Sequence, residues 1–275
     1  MFLRRKAYLY CTVLLICLLP AVFTGCSAGV SSGESESPVA RGETLVQIST
    51  IDALLNGVYD GVVDYDTLAG YGDFGIGTFA GLDGEMIGFD GEFYQVKADG
   101  VAYPVSGAMT TPFSCVTVFD TDREEKIPAG LSYTELQDYI DGILPTENIF
   151  YAIRIDGSFS YVKTRSVPGQ ERPYPPLVEV TANQAIFEFI DVEGTIVGFR
   201  CPPYVGGVNV VGYHLHFLTA DKTAGGHLLE CNVSDATLYV DDTPGFFMVL
   251  PDADSDFYDI DLSGDKQAEL EKAEK

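Results

Sequence analysis

All three histidines of this 275-residue chain lie in GYHLHFLTADKTAGGHLLEC, residues 212–231, as His214, His216 and His227. His214 and His216 are two apart in the strand-like run YHLHF, and side chains two apart in a strand share a face. ADKTAGG then turns the chain, and His227 opens the returning strand. Two imidazoles on one strand and a third on its neighbour can converge on a point. Three neutral ring nitrogens at ~2.0–2.1 Å suit Zn²⁺, and a three-ligand site keeps a fourth position for water or substrate, the catalytic form of a zinc site. H-x-H alone is common and often marks a satisfied or exposed pair. The third histidine, one hairpin away with none elsewhere, turns the reading towards metal. Cys231 has the strand parity of His227 and is open as a soft fourth ligand, beside its more ordinary role as buried filler.

A sheet must hold such a set, and strands dominate the pattern. Asp-Gly recurs at 83–84, 90–91 and 99–100 between short apolar runs, and glycine accepts the positive φ that hairpin turns need. EMIGF, EFYQVK and VAYPV therefore read as three antiparallel strands and PFSCVTVF (112–119) as another. NIFYAIRIDGSFSYVKTRSV (148–167) reads as a hairpin turning at Asp156-Gly157. LVEVT, AIFEFIDVEG, TIVGFR, GYHLHFLT, HLLECNV and ATLYVD form a second set of strands, followed by GFFMVL (245–250). Helices are few. One is capped by Thr50 or Ser49, with Ile51, Leu54, Leu55 and Val58 on one side; one covers 132–143; a short polar one lies in DKQAELEKAEK. Many strands with few helices predict an α+β fold with mostly antiparallel sheets. The glycine clusters GIG and GGVN open no helix, and no Walker, G-x-S-x-G or H-E-x-x-H motif is present.

The N-terminus reads as processing signal. Arg4, Arg5 and Lys6 precede an apolar run to about Phe23, and Thr24-Gly25-Cys26 follows. This resembles a lipoprotein signal over residues 1–25 whose Cys26 takes a lipid, with a plain secretory signal or an uncleaved anchor as alternatives. Residues 26–43, rich in Ser, Gly, Pro and Glu, bury too little to order themselves and read as a tether. The expected location is therefore outside the cytoplasmic membrane, with membrane contact only through the lipid. The net charge of −25 becomes more negative once the basic signal leaves, and such a surface repels nucleic acid and anionic lipid. Cys115, Cys201 and Cys231 are then an odd set in an exported protein; they read as small buried hydrophobes, with one disulfide as the alternative.

Several long segments resemble the α-acetolactate decarboxylase family: LLNGVYDG, GDFGIGTFAGLDGEMIGFDGEFYQ, TPFSCVTVF, TRSVPGQERPYPPL and GFRCPPYVGGVNVVGYHLHFLTADKTAGGHLLEC. They stand in the family's order and cover nearly all of residues 45–274. The resemblance implies a zinc enzyme that converts 2-acetolactate to acetoin and CO₂. It implies two α/β domains with a mixed sheet in each, divided here into 44–164 and 165–275, often paired as a homodimer. It implies zinc on His214, His216 and His227, set on strands of the C-terminal domain near the junction. It also implies Glu85 of the DGE motif near the metal, Arg165 of TRSVP in the active site and Thr78 lining the pocket. A C-terminal glutamate near the metal is implied too; Glu269, Glu271 and Glu274 compete for the match, and Glu274 is chosen. Apart from the resemblance, Glu85 could be a solvated strand end, Arg165 a surface charge and Glu274 part of a loose tail.

The implied chemistry suits these groups. Loss of CO₂ from a β-keto acid leaves an electron pair that the ketone receives as an enediolate, and a Lewis acid stabilises that charge. Adjacent carbonyl and hydroxyl oxygens can chelate one zinc, Arg165 can hold the carboxylate in a bidentate contact, and Glu85 or Glu274 can deliver the proton. Two other readings stay open: a non-catalytic lipoprotein that binds zinc or a small ligand, and a cupin-like metal enzyme. The cupin pattern expects a glutamate a few residues after H-x-H, but Ala220 and Asp221 stand there, which weakens that reading.

Overall fold

The structure is a computed structural model that describes residues 43–274. The signal, Cys26 and most of the tether lie outside the described residues. The first of two main sheets contains β1 (Thr44–Ile48), β3 (Phe74–Thr78), β4 (Glu85–Phe89), β5 (Glu92–Val96), β6 (Ala102–Pro104), β8 (Ser114–Thr117) and β14 (Gly245–Val249). Its order is β14-β1-β8-β3-β4-β5-β6, with β1–β14 parallel and the other pairs antiparallel. A small pair, β2 (Val63–Asp64) with β7 (Thr110–Thr111), lies beside it. The second sheet contains β9 (Arg123–Ile127), β10 (Phe150–Ser166), β11 (Ala185–Cys201), β12 (Gly212–Thr219) and β13 (Gly225–Thr243). β10 pairs with both β11 and β13, and β12 joins β11 to β13, so four strands close on themselves while β9 adds to β13. Closure leaves few free edges to attract another chain.

The helices are α1 (Ile51–Leu55), α2 (Tyr65–Ala69), α3 (Tyr133–Ile143), α4 (Leu177–Thr181) and α5 (Gln267–Ala273). Thr50 caps α1 by accepting from the Ala53 N–H, and Ser132 with Glu135 forms a capping box on α3. One core cluster joins the two sheets, with Phe74, Ile76 and Ile87 from the first and Val197, Phe199 and Leu218 from the second. A second cluster, including Phe159, Phe217 and Leu238, fills the closed strands and takes in Leu136 and Ile140 of α3.

The sheet-rich α+β expectation holds, and so do the three strands after Asp83-Gly84. Four local expectations do not. Residues 148–167 are not a hairpin: β10 runs through Asp156-Gly157, where Gly157 pairs with Gly194 and Ala236. A Cβ at 157 would meet Asp235 O at 2.3 Å, so this glycine serves a close passage of strands rather than a turn. AIFEFIDVEG with TIVGFR, and HLLECNV with ATLYVD, are likewise single long strands, β11 and β13. LVEVT is α4, a helix made by packing against α1 and α5 despite its β-branched residues. The chain changes sheet after β8 and again before β14, and residue 165 lies inside β10.

Candidate metal centre and active site

His216 on β12 stands directly opposite His227 on β13. On the other side of β13, His227 stands opposite Arg165 of β10. Residues directly opposite across a ladder share a face, so Arg165, His227 and His216 form one row across three strands. His214, two residues along β12, joins them on that face. Gly226 holds this row together: its φ is +136°, and a Cβ there would meet Arg165 O at 2.4 Å. The first sheet contributes Glu85 at the start of β4, opposite Thr78 of β3. Thr78 Oγ1 donates to Gly84 O at 2.7 Å and fixes the turn that launches Glu85. Glu274 arrives at the end of α5, which Leu270 and Ala273 bury against the body.

One imidazole nitrogen from each histidine lies within 4.8 Å of the others. His216 Nε2 is 3.7 Å from Glu85 Oε2, and Glu274 Oε2 is 3.5 Å from His227 Nε2 and 3.9 Å from His214 Nε2. Ligand atoms at ~2.0–2.2 Å from one tetrahedral ion lie roughly 3.3–3.6 Å apart; the Glu274–His227 spacing falls in that range, and the other two exceed it by a few tenths of an ångström. His216 Nδ1 is 2.8 Å from Met86 O. With its proton on Nδ1, His216 presents a bare Nε2 to the centre, an orienting contact typical of metal-bound histidine. Among the described residues, His214 Nδ1, His216 Nε2 and His227 Nδ1 are buried without a hydrogen-bond partner. Buried polar atoms are seldom left so, and a cation held by the Nε2 atoms would satisfy His216 Nε2. The donor set therefore fits a divalent metal.

Arg165 Nη1 donates to Glu85 Oε1 at 3.0 Å, and Nη2 lies 3.8 Å from Glu274 Oε1. Burial pushes the Glu85 carboxyl up to about 7, against Arg165, which lowers it. Burial likewise raises Glu274, again opposed by Arg165. Burial, with repulsion from Arg165, lowers His214 to about 3. His216 and His227 are lowered well below the usual histidine range, chiefly by burial. All three are thus neutral at pH 7, the form that binds metal.

Residues 45–264 match the sequence model of the family described as alpha-acetolactate decarboxylase. The chain belongs to this family. An alpha-acetolactate decarboxylase of Methanosarcina mazei is 53% identical over 233 residues, 85% of this chain and 81% of that one. That of Bacillus subtilis strain 168 is 44% identical over 233 residues, 85% of this chain and 90% of that one. The X-ray structure of alpha-acetolactate decarboxylase from that strain superposes with a TM-score of 0.82 at 44% identity, over 84% of this chain and 99% of that chain.

The structure brings together every residue that the family resemblance marked: Thr78, Glu85, Arg165, His214, His216, His227 and Glu274. Glu269 and Glu271 of α5 are exposed, whereas Glu274 reaches the histidines. Cys231 is not a ligand. The register shift between Lys163 and Thr164 pairs Arg165 with His227 but Val162 with Cys231, and this extra residue sends Cys231 to the opposite face. It lies in the apolar cluster with Leu228 and Val162. All three described cysteines are free and buried. Arg200 also faces away from the site, towards Asp141 and Glu147 O. Met86 O was illegible in the sequence, since a backbone carbonyl carries no residue-type signal.

These shifts give a pH signature for the metal-free protein. The histidines have folded pKa values below their unfolded ones. The unfolded chain takes up protons first as pH falls below about 6.5, and stability drops. Glu85 is raised instead, so its contribution is lost as pH rises from about 4.5 to about 7. Within the centre the three histidines outnumber the opposing carboxyls Glu85 and Glu274, and outside it Asp241, pushed up to about 8 by burial, adds to the loss on the alkaline side. Chelated protein followed by calorimetry should therefore melt at its highest temperature near pH 6–7 and lower in acid. Added metal should raise the midpoint at neutral pH.

Proposed function

We propose that this chain is a zinc-dependent enzyme that decarboxylates 2-acetolactate to acetoin and CO₂. The observation that carries the proposal is the convergence of three neutral buried imidazoles, a buried guanidinium, the buried Glu85 carboxyl and the partly buried Glu274 carboxyl in one place. His214, His216 and His227 would hold the metal, with Glu85 and Glu274 within reach of it. When bound, zinc supplies a Lewis acid for the substrate's hydroxyl and ketone oxygens.

Arg165 Nε has no hydrogen-bond partner among the described residues, so the guanidinium keeps donor capacity for the substrate carboxylate. Holding that group turns the breaking C–C bond to a fixed orientation. As CO₂ leaves, the electron pair of that bond passes into the neighbouring ketone, giving an enediolate. Burial favours the protonated form of the Glu85 carboxyl, the form that can give up a proton to carbon. Glu85 is assigned that delivery, with Glu274 beside Arg165, His214 and His227. Burial excludes water, which keeps the proton transfer local. The signal ending at Cys26 supports an exported, membrane-tethered enzyme, with zinc loading and turnover outside the cytoplasmic membrane.

Purified protein given racemic 2-acetolactate should produce acetoin and CO₂ well above a no-enzyme blank. Zinc-loaded, folded protein that gives none would reject the proposal. Glu85→Gln should retain zinc and lower kcat by about 10²–10⁴-fold, the usual span for a lost proton donor. Full activity in that variant would remove Glu85 from the role.

A further inference from the structure

We infer that Gln47 and Asn209 are positioning residues for the reaction: their buried side-chain pair fixes the first sheet, which carries Glu85, against the second, which carries Arg165 and the histidines. The inference rests on the decarboxylase reading above and adds to it two residues outside the metal centre.

Gln47 of β1 stands opposite Cys115 of β8, Cys115 opposite Ile76 of β3, and Ile76 opposite Ile87 of β4. The four form one row on one face of the first sheet. Ile76 and Ile87 enter the core that joins the sheets, and Glu85, two residues from Ile87, shares their face. At the Gln47 end the row turns polar. There it meets residues 202–211, which link β11 to β12 and lead into His214 and His216. Asn209 Nδ2 donates to Gln47 Oε1 at 2.8 Å and to Cys115 Sγ at 3.2 Å, and Asn209 Oδ1 accepts from the Val210 N–H at 2.7 Å. Gln47 Nε2 donates to Val208 O at 2.7 Å and to Ser49 O at 2.8 Å.

Gln47 is 0% and Asn209 1% exposed, and all four side-chain N–H donors of the pair are used. An apolar pair would fill this space with no partners to satisfy; a fully satisfied polar pair holds one alignment. The same segment seats α1, since Val208 O accepts from the Ile51 N–H at 2.9 Å and Gly207 O from the Asp52 N–H at 3.3 Å. Two contacts of the centre cross between the sheets, Arg165 Nη1 to Glu85 Oε1 and His216 Nδ1 to Met86 O. A slip of one sheet against the other disturbs both. Arg165 and the three histidines all stand on the second sheet, so substrate binding survives such a slip, whereas proton delivery from Glu85 and the orientation of His216 do not.

Gln47→Met, Asn209→Leu and the double variant are compared with wild type after zinc loading, by kcat and KM on 2-acetolactate. Each is also loaded with Co²⁺, whose visible absorption bands report ligand geometry without turnover. Each single variant should lower kcat by about 10–100-fold, the scale of a misplacement of about an ångström at the reacting groups, with KM within about threefold of wild type. The double variant should lose no more than the worse single one, because the two residues act as a unit. The cobalt bands should shift in all three. Gln47→Asn and Asn209→Ser replace any variant that loses its circular dichroism. Folded variants with a lower Tm but wild-type kcat and cobalt bands would overturn the inference and leave the pair a structural one only. Losses that fall on KM alone, or that multiply in the double variant, would overturn it as well. Wild-type protein inactive on 2-acetolactate would instead reject the decarboxylase reading; the pair is then judged by the cobalt bands, which should still shift.

Discussion

His216→Ala is expected to abolish zinc binding and to lower kcat/KM by at least about 10³-fold. Metal Lewis-acid stabilisation is worth several kcal/mol, and about 4 kcal/mol is a thousandfold in rate. The effect should be largest at His216 because it is the middle ligand. It stands opposite His227, shares its face with His214 and is oriented by Met86 O. Zinc content and turnover should fall together, while the fold survives, since the imidazole it loses is one with an unpaired buried nitrogen. Turnover near the wild-type value in zinc-free His216→Ala would contradict the assignment.

Arg165→Gln is expected to have the second largest effect, on stability and on activity together. The Arg165 side chain is 5% exposed and faces the buried carboxyl of Glu85 and the partly buried one of Glu274. Removing one partner of a buried ion pair costs about 3–5 kcal/mol. The loss has a pH sign. Arg165 lowers both carboxyls, so without it each rises further above its unfolded value. The folded variant then binds more protons than the unfolded chain, and its stability falls as pH rises. Denaturant melts of the metal-free proteins should show a wider gap from wild type at pH 8 than at pH 5.5. Arg165→Lys should recover part of the stability and little of kcat/KM, because an ammonium lacks the planar fork that fits a carboxylate. A gap that narrows with rising pH would mean that Arg165 does not hold these carboxyls down.

How much of this was legible in the sequence depends on the range of each signal. The histidine set was readable because strand parity is local: His214 and His216 share a face by spacing alone. Arg165, Glu85 and Glu274 come from β10, β4 and the end of α5, and no local rule brings them together; family resemblance alone marked them. Glu274 is the clearest case. A seven-residue helix is marginal by itself, and its order comes from burying Leu270 and Ala273, which tertiary packing decides. Asp-Gly behaved as a turn at 90–91, where both residues have positive φ, and failed at 156–157. The buried alternation of Ile153, Ile155 and Phe159 runs straight through Gly157, and that period-two pattern was the available sign of a continuous strand. Cys231 shows the converse limit: parity counted from His227 misassigned its face because a bulge inserts one residue between them.

The central claim is that the histidine centre carries a zinc that decarboxylation requires. Its most direct test is acetoin formation from 2-acetolactate by purified protein before chelation, after chelation and dialysis, and after zinc is returned, with bound zinc counted at each stage. The account predicts activity that disappears with the metal and returns in proportion to zinc, up to one ion per chain. Undiminished acetoin formation from protein shown to be metal-free would contradict it.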